Sequence, residues 1–159
     1  MSFFRPFSIS FLSLAGLALV LTSLAQAAPS PYEEPIRYRR AAMVMIKVHY
    51  DRLSQMLKGT RPFTKEEFSR HASVLEVLSQ VSLDGFVAGS HEGETKAKAE
   101  IWSDWKKFKA QGDQFRTATT RLREMAPAAS QDALKSQLSE VTRSCKNCHD
   151  DFKNAAVGG

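Results

Sequence analysis

Apolar residues recur along this chain with helical spacing, and nowhere do they alternate as in a strand. In the first stretch, from about Glu34 to Lys58, Ile36, Met43, Tyr50 and Leu57 fall seven apart, with Ile46 and Leu53 between them. Pro35 suits the first turn and Gly59 the position just past the last. A second helix is predicted from Thr64 to about Ser82. Thr64 and Glu67 form a capping-box pattern, Phe63 and Phe68 a staple, and Val74, Leu75, Val77, Leu78 and Val81 the apolar face. The one long connection, Leu83 to Lys96, contains Gly85, Gly89 and Gly93. A third helix is expected from about Ala97 to Ala126, carrying Ile101, Trp105, Phe108, Phe115, Thr119 and Leu122 and ending before Pro127. A fourth follows from about Ser130 to Asn154, with Leu134, Leu138, Val141, Cys145, Cys148 and Phe152 on one stripe. Four amphipathic helices with short connections specify an all-α, antiparallel, up-down-up-down four-helix bundle.

The N-terminal segment has a different pattern. Arg5 precedes a run from Phe11 to Leu24 that is apolar or small throughout, and Ala25-Gln26-Ala27 matches a small-x-small cleavage site. The run is shorter than the roughly 20 residues that span a bilayer. Residues 1–27 are therefore read as a cleaved signal peptide and residues 28–159 as the mature domain, with a periplasmic location and no membrane association after cleavage. Charged residues are 25% and hydrophobic residues 43%, which excludes a disordered chain. The net charge of +5 comes from 22 basic and 17 acidic side chains with no basic stripe, so a nucleic-acid partner is not expected.

The two cysteines are the chemical signal. Cys145-Lys146-Asn147-Cys148-His149 is C-x-x-C-H, the attachment sequence of c-type haem. Two thiols one helical turn apart can each bond a vinyl-derived carbon at the porphyrin edge, and the adjacent imidazole can take an axial position on iron. A redox dithiol would need a βαβ setting, and a structural zinc would need two more ligands. One motif implies one covalent haem c, with His149 as the axial iron ligand.

The motif lies near the C-terminus, so any sixth ligand must come from upstream. His149 is about 8 Å from the end of helix four and Met43 about 13 Å from the start of helix one, at the same end of the bundle. Met45 points about 200° away from Met43. Met43 is thus the residue over the sixth position, either as a ligand or as an apolar wall. Phe86, Trp102 and Trp105 fall at this end and could cover the porphyrin, ordinary core packing being the alternative for Trp105. Arg39, one turn before Met43, has two readings: partner of a haem propionate, or solvated surface residue.

These residues resemble the cytochrome c prime family, the class II c-type cytochromes. Tyr38-Arg39 with Met43, the segment from Gly93 to Asp104, and Ser144 to Asp150 carry the resemblance. It implies a periplasmic monohaem protein with five-coordinate iron that binds nitric oxide and carbon monoxide and protects against nitric oxide. It also implies an unidentified redox partner and a homodimer through helices one and two. Lys153 stands where many members carry Arg, keeping the charge without the planar fork. The alternative is a low-spin electron-transfer protein with His149–Met43 ligation, similar to cytochrome c556. An enzyme is not expected, because the distal wall offers no acid–base group and His49 lies on another face of helix one.

Overall fold

Helix boundaries follow the capping chemistry closely. The computed structural model describes residues 30–155, so the expected signal peptide lies outside the described residues. Helix α1 spans Glu33–Lys58, and Gly59 ends it in a left-handed conformation, φ 76°, which glycine adopts without a Cβ penalty. Helix α2 spans Lys65–Val81. The Thr64 hydroxyl accepts from the Glu67 backbone N–H at 3.1 Å, and the Phe63 and Phe68 rings meet with centroids 5.6 Å apart. The Glu67 carboxylate accepts from Arg61 at 2.6 Å.

The expected third helix is divided. A single turn, α3, covers Glu100–Ser103, and α4 covers Trp105–Met125. Asp104 leaves helical geometry at φ −121° and ψ 49°, and its side chain then caps α4 by accepting from the Lys107 N–H at 3.3 Å. Residues 97–99 do not begin a helix. Ala97 instead forms an antiparallel bridge with Lys153. The Lys98 N–H donates to Phe152 O at 3.0 Å, and the Asn154 N–H donates to Lys96 O at 2.8 Å. Helix α5 spans Gln131–Phe152, two residues short of the expected end, because Lys153 has turned extended to make this bridge. The Lys98 ammonium donates to the Asp150 and Asp151 carbonyls at 3.2 and 3.0 Å. It thereby satisfies acceptors that the end of α5 leaves without helical partners.

The four long helices form the bundle, with α1 against α2, α2 against α4 and α4 against α5. The approach of α1 to α5, which closes the ring, is the sparsest of these. Two apolar clusters fill the interior. The larger, built around Leu53, Met56, Phe68, Leu75, Leu122 and Leu134, occupies the end where the short connections turn. The smaller joins Ile101, Phe108 and Phe152 beneath the long connection. Two expected core positions lie outside: Val77 is 59% exposed and Trp105 39%. The break at Asp104 re-aims Trp105, which keeps only an edge of contact with Phe108, at 5.4 Å between centroids.

Candidate haem attachment site

The last three turns of α5 place Cys145 and Cys148 half-buried on its inner side and His149 exposed beside them. Both thiols are free. Cys145 packs against the larger apolar cluster and Cys148 against the smaller, so the motif lies where the two meet. Burial raises the Cys145 pKa. Burial, then the neighbouring Cys145 and Asp151, push the Cys148 thiol up to about 11. Burial thus favours the protonated thiol over the thiolate at both positions. At His149, desolvation and then the Lys153 cation lower the imidazole pKa, which favours the neutral, ligating form.

Met43 lies on α1. It is half-buried against the larger cluster, as is Cys145, whereas Met45 is 47% exposed. The helical phase read from the sequence therefore holds. Among the described residues no cluster of three or more His, Cys, Asp or Glu side chains could hold a metal ion by itself.

Aromatic side chains close the end of the bundle. Phe86 lies 4.8 Å from Phe108, Phe108 meets Phe152 edge-on at 5.4 Å, and Trp102 lies 5.1 Å from His91. Trp102 and Phe86 belong to the cluster that Cys148 contacts. The Trp102 indole N–H is buried without an acceptor. A buried donor of this kind is costly unless something completes it. Two thiols a turn apart, an adjacent neutral imidazole, aromatic cover and an unused N–H donor together fit a covalently attached porphyrin carrying carboxylates.

Arg39 differs from its solvated reading. It is only 3% exposed. Its Nη1 donates to Gly85 O at 2.9 Å and to Ser90 Oγ at 2.6 Å. Its Nη2 donates to Ser90 O at 2.5 Å and to Thr95 Oγ1 at 2.7 Å. The guanidinium also lies 4.9 Å from the centre of the Phe86 ring. Four of its five N–H groups are thus spent on the long connection, which the arginine fastens to α1. Gly85 makes this approach feasible, because a Cβ there would come within 2.6 Å of Pro35 O. Ser90 and Thr95 were not singled out in the sequence. Ser90 was signalled only by proximity to the three glycines, and Thr95 only as part of the Gly93 to Asp104 segment, since a clasp between residues about fifty apart leaves no local pattern.

A family model described as Cytochrome C' matches residues 34–153. Cytochrome c' of Rubrivivax gelatinosus is 32% identical over 121 residues, covering 76% of this chain and 94% of that protein. Cytochrome c' of Alcaligenes xylosoxydans xylosoxydans is 31% identical, with the same coverage of each. The structure of cytochrome c prime from Shewanella frigidimarina aligns with a TM-score of 0.76 at 33% identity, covering 80% of this chain and all (100%) of that one. A nitric oxide complex of a cytochrome c prime mutant from Alcaligenes xylosoxidans aligns with a TM-score of 0.74 at 30% identity, covering 80% and 99%.

Proposed function

The chain belongs to the cytochrome c' family, and from that premise we propose that it is a periplasmic monohaem cytochrome with five-coordinate iron that binds nitric oxide and carbon monoxide. Covalent haem c is the family's cofactor, and Cys145, Cys148 and His149 supply its attachment motif. A bound haem would supply an iron able to take a diatomic ligand. In this reading Cys145 and Cys148 hold the ring through thioethers and His149 supplies the proximal nitrogen. Phe86 and Trp102 exclude water, and the Trp102 N–H takes a propionate oxygen. Arg39 acts one step back, fixing the loop that carries Phe86.

The observation that carries the proposal is the placing of Met43. It is half-buried against the larger cluster, against which Cys145 also packs, on the helix that adjoins α5 to close the ring. A thioether offers no hydrogen-bond donor, so bound dioxygen would gain little. Nitric oxide needs no such donor on ferrous iron. The support for nitric oxide as ligand is the relative from Alcaligenes xylosoxidans, whose structure is a nitric oxide complex. A role in tolerance of nitric oxide would follow from capture of the gas at the iron. No helix among the described residues is long and apolar enough to cross a membrane.

Met43→Ala tests this directly. The variant should bind carbon monoxide at least about tenfold more tightly, equivalent to about 1.4 kcal/mol of relieved obstruction, with the resting spin state unchanged. A resting ferric protein that is low-spin, and that turns high-spin on this substitution, would instead assign Met43 as a ligand and the protein to electron transfer.

The outer face of α1 supports a homodimer. Val44, Met45 and Val48 are 63%, 47% and 45% exposed, and Val77 of the adjoining α2 is 59% exposed. Apolar residues grouped this way are suited to self-association. Sedimentation equilibrium should give twice the chain mass for the mature protein, and Val48→Glu should give a monomer with an unchanged haem spectrum.

A further inference from the structure

Away from the haem site, His49 of α1 and His71 of α2 meet with their Nδ1 atoms 2.9 Å apart. His71 is 4% exposed and His49 half-buried. One Nδ1 must donate and the other accept, so the contact exists only while the pair holds a single proton between those two atoms. The ring centroids are 5.0 Å apart. That is close to the largest separation two imidazoles can have at this Nδ1–Nδ1 distance, so the two nitrogens point at each other. A shared metal ion would instead require their lone pairs to converge on one point. The arrangement is a proton bridge rather than a chelate.

We propose that His49 and His71 form a one-proton clasp between α1 and α2, which holds the helix pair together near neutral pH and loosens it as the medium acidifies. One further proton can be taken by the free Nε2 of the donor ring with the bridge intact, but a second would place N–H on both facing Nδ1 atoms, and neither would have an acceptor. The charged groups acting on the pair oppose that proton on balance. Arg52 of α1 and Arg70 of α2 repel it. Glu67 of α2 favours it, but its Oε1 lies 3.6 Å from His71 Nε2, beyond hydrogen-bond reach, and is already held by Arg61. The His71 Nε2 is buried without a partner. Burial comes first among the causes that lower both imidazole pKa values.

The sign is fixed by linkage. Imidazoles with pKa values lowered by folding take up protons more readily in the unfolded chain. Their contribution to stability is therefore complete above the unfolded imidazole pKa of about 6.5 and is lost as pH falls below it. Each proton withheld from the folded state raises the unfolding constant about sixteenfold between pH 6.5 and 5.0, since the unfolded imidazole is already half protonated at the upper limit.

The test is urea unfolding of the haem-loaded protein between pH 7.5 and 5.0, for the parent, His49→Gln and His71→Gln. A glutamine at position 49 can still accept from His71, so that variant keeps a neutral bridge without a second imidazole. It should lose clearly less stability on acidification than the parent, by about one proton's worth, with the buried His71 supplying the remainder, and His71→Gln should likewise lose less than the parent. If His71→Gln does not fold, His49→Gln alone decides. An acid dependence that persists undiminished in His49→Gln would overturn the clasp. So would zinc at equimolar concentration stabilising the parent but not His49→Gln, because the pair would then be a metal site.

Discussion

His149→Ala is expected to lower the covalent haem content of the exported protein by at least about tenfold. Loss of residues that merely orient a metal ligand commonly costs ten- to a hundredfold in affinity, and this change removes the ligand itself. The structure offers no substitute. His49 and His71 are engaged with each other between α1 and α2, and His91 lies on the long connection against Trp102. The side chain is exposed and the α5 backbone continues past it to Phe152, so the helix should persist in the variant. Pyridine haemochrome absorbance per chain, with circular dichroism as the control for folding, gives the measurement. Full haem content with unaltered axial ligation would remove His149 from the assignment.

The second large effect is on stability. Arg39→Met should lower the melting temperature by roughly 10 °C, from a net loss of about 2–4 kcal/mol. Four hydrogen bonds from a charged donor disappear; Gly85 O, Ser90 O and Ser90 Oγ lose that donor, while Thr95 Oγ1 keeps the Ala97 N–H. Part of that loss is offset, because the guanidinium no longer has to be desolvated. Arg39→Lys should recover less than half of it, since an ammonium cannot fork to two planar sets of acceptors. Limited proteolysis should then cut within residues 85–95 while α1 stays intact. An unchanged melting temperature in Arg39→Met would mean that the connection is held by other contacts.

These two residues show different degrees of legibility. His149 is marked by local chemistry: two thiols and an imidazole in five consecutive positions, a pattern that no packing requirement produces. Arg39 is marked by nothing local. Its partners lie 46 to 56 residues away, on a connection whose glycines allow close approach but do not say to what. The sequence therefore left two readings of Arg39, and the packed structure replaced the solvated one with a buried clasp. The His49–His71 clasp was hidden for the same reason, with 22 residues between its halves.

By itself the sequence determined four long helices, the caps at Thr64 and Gly59, the face that carries Met43 and the attachment motif on the last helix. Each of these rests on interactions within a few residues, through the 3.6-residue period or a side chain bonding a nearby backbone group. Tertiary structure decided what depends on groups far apart in the chain. The bridge of Ala97 to Lys153 withdraws residues 97–99 from the expected helix, and the turn at Asp104 divides what remains. Extended pairing satisfies the backbone at the end of α5, a gain no local propensity can register because its two halves meet only once the bundle has closed.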